Sequence, residues 1–179
     1  MGEFLTDITT LRRQAREHMD RGSVTDAYGA DRERVVAVLN EALATELVCI
    51  LRYKRHYFTA QGINAAAAAA EFLQHATEET GHADMIAARI TQLRGEPDFD
   101  PDTLTGRSHA EYDSSAELEA MIREDLVAER VAIASYSEMI SWLGDGDPTT
   151  RRMLEEILAV EEEHAEDMLT LLEGLDVTV

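Results

Sequence analysis

The stretch Ala76-Thr77-Glu78-Glu79-Thr80-Gly81-His82-Ala83-Asp84-Met85-Ile86 lies in a run whose apolar residues recur every three or four positions, at Phe72, Ala76, Ala83, Ile86, Ile90 and Leu93. That spacing predicts one buried face of a helix over about 64–93. Glu79 falls on the same stripe, where an apolar side chain is due, and His82 lies on its flank. Residues three apart project to one side of a helix, so Glu79 and His82 can present a carboxylate and an imidazole to one point.

Three more stretches repeat the theme. One, over about 31–59, carries the stripe Leu39, Leu43, Glu46, Ile50, Tyr53, Tyr57. Another, over about 115–143, gives Leu118, Ile122, Leu126, Glu129, Ile133, Tyr136, Ile140, Leu143, and the last, over about 148–172, gives Leu154, Ile157, Glu161, His164, Met168, Leu171. Four helices of this length, each with a single apolar seam, predict an all-α antiparallel bundle. Gln61-Gly62 separates the first pair, and Gly144-Asp145-Gly146-Asp147-Pro148 separates the second, with Asp147 as N-cap and Pro148 at the first helical position. Between the pairs, Gly95 to Ser114 is too long for a helix hairpin. At about 3.3 Å per residue it can cross the whole bundle. The expected topology is therefore up-down-down-up, with one long crossover that carries a short helix of its own. The first thirty residues form a separate extension, 1–30, with a short helix over about Phe4–Met19, ahead of the bundle at 31–179.

Composition narrows the function. With 16 Lys+Arg against 36 Asp+Glu, the chain carries a formal charge of -20. That argues against nucleic acid or an anionic membrane as partner and is compatible with handling cations. The N-terminal extension has four Arg against five acids, so it is no basic arm. The single cysteine, Cys49, excludes an intramolecular disulfide and a cysteine zinc knuckle. No apolar run approaches a membrane span, and no signal-peptide pattern opens the chain, so a cytoplasmic protein is expected.

The register of the polar interruptions carries the rest. Glu46 and Glu79 are equidistant from the Gly62 turn, and Glu129 and Glu161 are equidistant from Asp145. Residues equidistant from the turn of an antiparallel hairpin share one height, which sets all four glutamates near mid-bundle. Glu161-Glu162-Glu163-His164 repeats the Glu-x-x-His of Glu79 and His82. The chain thus reads as two related hairpins, each with a tyrosine seven residues beyond its first glutamate, Tyr53 and Tyr136. Burying four carboxylates together costs several kcal/mol apiece unless they are neutralised. Two divalent cations would do so, and oxygen and imidazole donors suit iron, manganese or zinc.

This pattern, with one Glu on each of two helices and a Glu-x-x-His on the other two, resembles the ferritin-like di-iron proteins. The segments Asn40–Val48 with Tyr53, Glu78–Asp84, Asp125–Glu129 and Glu161–His164 are similar to the ligand motifs of the bacterioferritin branch. The resemblance implies a ferritin-like four-helix bundle holding two iron ions per subunit through Glu46, Glu79, His82, Glu129, Glu161 and His164. Within that set it implies Glu79 and Glu161 as shared carboxylates, with Glu79 and Glu129 as the other assignment. Tyr53 and Tyr136 would hydrogen-bond site carboxylates or supply an electron, and Asp125 would orient a ligating imidazole. His75, one turn before Glu79, is expected at the rim, with guarding metal entry as the other reading. Bacterioferritins bind haem through a methionine where this chain has Thr80, so no haem is expected.

The chain ends 15 residues after His164, too early for the fifth helix of 24-subunit cages. The implied assembly is a dodecameric mini-ferritin of the DNA-protection-during-starvation class, with a bacterioferritin-type site inside each subunit. The implied function is ferroxidase activity toward Fe(II), with O2 or H2O2 as oxidant, and iron storage. A rubrerythrin-like di-iron peroxidase, a di-manganese catalase and a DNA-condensing stress protein are the alternatives.

Overall fold

The computed structural model describes residues 6–63 and 65–176, and all regular structure among them is helical. Four long helices make the bundle: α2 (Arg32–Thr59), α3 (Ala65–Gln92), α5 (Leu118–Leu143) and α6 (Pro148–Asp176), flanked by the short α1 (Ile8–Gln14) and α4 (Leu104–Arg107). Each long helix lies within a few residues of its sequence-predicted span.

Cross-helix contacts give the direction of each helix. Tyr53 of α2 meets Glu129 of α5, whereas Glu46 meets Tyr136, so α2 and α5 run antiparallel. Asp167 of α6 reaches His75 of α3, and Glu161 reaches His82, so that pair is antiparallel too. With α2–α3 and α5–α6 as hairpins, the order is up-down-down-up, as expected.

The crossover climbs the side of α2. Asn40 Nδ2 donates to the Glu96 carbonyl, the His109 amide to Thr45 Oγ1, and Arg55 to the Ser114 and Ser115 carbonyls. These bonds satisfy loop backbone that would otherwise need water. Within the crossover, α4 seats Leu104 on Ala44 and Val48. The Ser115 amide bonds Asp113 in a local turn, which delays the start of α5 to Leu118.

Helix ends follow local chemistry. Asp147 accepts the Thr150 amide at 2.9 Å and so caps α6, with Pro148 in its first position. At the end of α3 the left-handed residue is Arg94, φ 62°, rather than Gly95. Gly95 is needed for a different reason, since a Cβ there would come within 2.6 Å of Val36 Cγ1.

The N-terminal helix is shorter than predicted. Phe4 lies outside the described residues, and α1 covers only Ile8–Gln14, with no buried residue. Asp7 caps it, but an isolated seven-residue helix with no packed face has little to extend it. Residues that follow are tied to the bundle end, through Tyr28 Oη to Asp147 at 2.9 Å and the Gly29 amide to the Gly146 carbonyl.

Beyond the small Leu104 cluster, the core consists of two large apolar clusters. One surrounds Leu39, Leu43, Ile86, Ile90, Leu154 and Ile157, and the other surrounds Tyr53, Phe72, Met121, Ile122 and Met168. The polar interruptions of the four stripes lie at the level between them. No helix of the described residues is long and apolar enough to cross a membrane.

Candidate metal centre

Helical spacing sends one glutamate from each long helix to the bundle axis. Glu46, Glu79, Glu129 and Glu161 are each 1% exposed, with His164 at 1% and His82 at 6%. The fold brings all six sequence-predicted residues together. They form two overlapping four-residue groups, Glu46–Glu79–His82–Glu161 and Glu79–Glu129–Glu161–His164, with donor atoms of each group within 4.8 Å of one another. Glu79 and Glu161 belong to both groups. That overlap follows the internal two-fold, since each supplies the Glu of a Glu-x-x-His.

The two imidazoles face the acids with one nitrogen each. His82 Nδ1 lies 3.0 Å from Glu161 Oε1, 3.3 Å from Glu79 Oε2 and 3.4 Å from Glu46 Oε2. One ring nitrogen carries at most one proton, so it cannot satisfy three carboxylates. His164 Nδ1 sits 3.7 Å from Glu79 Oε1, 3.8 Å from Glu161 Oε2 and 3.9 Å from Glu129 Oε2. Its Nε2 donates to Glu78 Oε2 at 2.8 Å. That bond places the proton on Nε2 and turns the Nδ1 lone pair inward, the usual arrangement of a metal-binding histidine. Glu78 lies within the second-helix motif, but as the residue immediately before Glu79 it stands about 100° around the helix, so spacing along α3 alone does not assign it to His164.

Electrostatics reflect the crowding. Burial, then the Glu46 charge, raises Glu79 well above the usual carboxylate range; burial and Glu161 do the same to Glu129. Burial, with Glu79 and Glu46 alongside, raises Glu161 to about 8. Burial opposes ionisation of Glu46 too, but hydrogen bonds involving Glu79, His82 and Tyr136 outweigh it and lower that group. Burial alone would depress His82, yet the carboxylates of Glu161, Glu46 and Glu79 push it up to about 12.

Hydrogen-bond accounting isolates the same place. Among the described residues, six buried side-chain atoms lack a hydrogen-bond partner: Glu46 Oε2, Glu79 Oε1, Glu129 Oε2, Glu161 Oε1, His164 Nδ1 and His56 Nε2. Five of the six converge on the centre. Orphaned buried acceptors cost about 1–3 kcal/mol each, and more when charged. A pair of divalent cations fits this donor set, because it would satisfy the facing oxygens and nitrogens and offset four negative charges.

Tyrosines brace the acids from above and below. The Tyr53 hydroxyl donates to Glu129, and the Tyr136 hydroxyl donates to Glu46. Asp125 does not play the expected part. Its oxygens are taken by Arg52 Nε at 2.9 Å and His56 Nδ1 at 2.8 Å, neither of which is a ring facing the centre. Placed one turn before Glu129, it points toward α2 and neutralises the buried Arg52 there. His75 is also not at the rim: it is fully buried, and its ring stacks on His164 with centroids 3.9 Å apart. Thr80 is exposed and its hydroxyl bonds the Ala76 carbonyl.

Known proteins share this architecture. A bacterioferritin of Rhodobacter capsulatus is 31% identical over 147 residues, covering 80% of this chain and 85% of that protein. A nutrient stress-induced DNA-binding protein of Synechococcus is 30% identical over 71% of this chain and 74% of its own. In three dimensions, the dodecameric thioferritin of Bacteroides fragilis, a bacterioferritin-related protein, superposes with a TM-score of 0.80 at 31% identity, covering 83% of this chain and 89% of that one. The ferritin-like domain model matches residues 36–177, the stretch that contains all six central residues, and the chain belongs to the ferritin family.

Proposed function

We propose that the protein is a ferroxidase that oxidises two Fe(II) ions at a centre inside each subunit, with O2 or H2O2 as oxidant, and stores the ferric product in a homo-oligomeric shell. Glu46, Glu79, His82, Glu129, Glu161 and His164 hold the substrate ions in this reading, with Glu79 and Glu161 shared between them. The observation that carries it is the set of five orphaned donor atoms aimed at one buried point. Two ferrous ions side by side yield two electrons together, enough to take dioxygen to peroxide or, with two protons, peroxide to water. Pairing the electrons avoids release of a one-electron oxygen radical.

The chain's own residues supply geometry and charge. Four carboxylates and two neutral imidazoles offset the charge of two divalent ions, so entry of Fe(II) displaces the protons that burial retains on Glu79, Glu129 and Glu161. Tyr53 and Tyr136 fix the outer oxygens of Glu129 and Glu46 and leave their second oxygens for metal. Thr80 offers no haem ligand. The formal charge of -20 draws cations toward the protein and disfavours the DNA-condensing alternative.

Relatives named bacterioferritin and a dodecameric bacterioferritin-related protein support storage in a shell of twelve. Residues 1–30 are then an extension and 31–179 the ferritin-like bundle. The test is anaerobic Fe(II) titration followed by air or peroxide, read optically, in the native chain and Glu79→Ala. Fast oxidation of two irons per chain, lost in the variant, with uptake far beyond two, is the expected result. Saturation at two leaves a catalytic centre without storage, and no oxidation at all sinks the proposal. Twelve copies of the 19.9 kDa chain give an assembly of roughly 240 kDa.

A further inference from the structure

One turn outward from the centre, on the side of α3 and α6, lies a second cluster that the proposed reaction does not use. His75 follows Glu71 by four residues on α3, and Asp167 follows His164 by three on α6. His75 Nε2 lies 3.4 Å from Asp167 Oδ2 and 4.0 Å from Glu71 Oε2, and donor atoms of all three fall within 4.8 Å of one another. The imidazole is fully buried, while the side chains of Glu71 and Asp167 are 36% and 40% exposed. Solvent therefore reaches the acids, and the ring lies beneath them.

His75 turns a different nitrogen to each side. Its Nδ1 lies 3.2 Å from the Tyr53 hydroxyl oxygen, and Nε2 is the nitrogen that faces the two carboxylates. With Glu71 and Asp167 it makes one group of three donors beneath a solvent-facing edge. An imidazole nitrogen with two carboxylate oxygens is a donor set for a first-row divalent cation at about 2.0–2.2 Å per bond, which a small closing of the two exposed acids would provide.

The position of this cluster also gives it a direction. His75 stacks on His164 at 3.9 Å, and His75, Glu78 and His164 form a further group with donor atoms within 4.8 Å. Glu78, 38% exposed, holds His164 Nε2 from outside. The half-exposed Glu71, Asp167 and Glu78 thus form an outer row of carboxylates, beneath which the buried rings of His75 and His164 lead toward the centre.

We propose that Glu71, His75 and Asp167 form an outer divalent-cation site from which metal is passed to the central cluster. The site itself stands on these residues alone, whereas the passing-on rests on the reading of the centre as a metal site. The test compares the native full-length assembly with a Glu71→Gln/Asp167→Asn double variant, whose changes fall on exposed side chains. Anaerobic Co(II) titration, read by visible absorption and by equilibrium dialysis, should give three ions per chain in the native protein and two in the variant. Two in both means that a proton, not a metal, occupies the cluster and overturns the site. Three in both overturns it as well. A Glu79→Ala chain separates the two readings, because it should lose central ions and keep the outer one. For the passing-on, stopped-flow oxidation below one Fe(II) per chain should slow about fivefold or more in the double variant, while the rate at saturating Fe(II) is unchanged. An unchanged low-iron rate overturns the relay.

Discussion

The hydroxyl of Tyr136 donates to Glu46, although the two residues stand 90 positions apart on different hairpins. Tyr53 and Glu129 repeat the bond with the hairpins exchanged. Each tyrosine lies seven residues beyond its own helix's glutamate, two turns along the same face, and therefore reaches the glutamate of the antiparallel neighbour. The internal two-fold is thus stitched by two reciprocal hydrogen bonds across the centre. Burial and the facing carboxylate of Glu129 or Glu46 hold both phenols well above their usual range, so they remain protonated donors. Hydrogen bonds to charged groups contribute roughly 1.5–3 kcal/mol. In the metal-free protein Tyr136→Phe, whose partner Glu46 is ionised, should cost about that amount in chemical denaturation, and Tyr53→Phe, whose partner Glu129 keeps its proton, about 0.5–1.5 kcal/mol. The double change should cost close to the sum, because the bonds lie on opposite sides of the centre. A loss below about 0.5 kcal/mol for either would mean the bond contributes nothing net.

Much of this arrangement was legible in the sequence because two periodicities agree. The three-and-four spacing fixed the faces, and equal distances from two turns fixed the heights, so six residues could be placed on one level. What the spacing could not resolve was the rotation of each helix by a fraction of a turn. On α5 the predicted stripe included Leu126 and Ile133, yet both are only half-buried, and Asp125, Ala128 and Ala132 face inward instead. Small alanines flank Glu129 because the tyrosines and acids already fill the bundle axis there. The same fraction of a turn carries Asp125 toward Arg52 and away from the centre, and brings His75 from the expected rim into the interior. His56 takes its partners from distant segments, Asp125 of α5 at 2.8 Å and Asp113 of the crossover at 3.5 Å, which helical spacing along α2 does not reveal.

Glu78 sets the tautomer of His164, so its removal should be felt at one ion and not the other. In Glu78→Gln the amide can still accept a hydrogen bond from Nε2, but the negative charge that favours the Nε2-protonated ring is gone. Loss of such a partner typically lowers metal affinity 10–100-fold. Anaerobic Co(II) titration should therefore show one central ion weakened by that factor, with the ion next to His82 unaffected. Equal weakening of both would mean that Glu78 acts through the general charge of the site.

Asp125 has a structural role, which separates it from the centre by experiment. It is fully buried and neutralises Arg52, whose side chain is 4% exposed, while holding His56. Removing one partner of a buried ion pair costs about 3–5 kcal/mol because the other charge is stranded. Asp125→Asn should lower thermal stability substantially, yet leave the number of central metal ions at two once folded at low temperature. Loss of a metal ion without loss of stability would return Asp125 to the role of orienting a ligand.

The metal-free protein should grow less stable as pH rises. Glu161 has an ordinary value of 4.5 and is raised to about 8 in the fold, first by burial and then by Glu79 and Glu46. Between those values the native state keeps a proton that the unfolded chain has released, so stability falls with rising pH across that window. Glu79 and Glu129 are raised above 4.5 as well and act with the same sign. His82 rises from 6.5 to about 12, so its contribution is complete below 6.5 and is lost progressively above it. Glu46 is lowered, and its effect is confined below 4.5. The signs agree from about pH 5 to pH 8. Divalent cations replace the retained protons, so the loaded protein should lose this slope, and the gap between loaded and metal-free melting temperatures should widen from pH 5.5 to pH 8.5. Glu161→Gln supplies the control, since its neutral amide cannot ionise and should lessen the slope of the metal-free profile, leaving the part that Glu79, Glu129 and His82 contribute. A metal-free melting temperature that climbs over this range, or a gap that narrows, would mean that Glu79, Glu129, Glu161 and His82 are not the groups holding those protons.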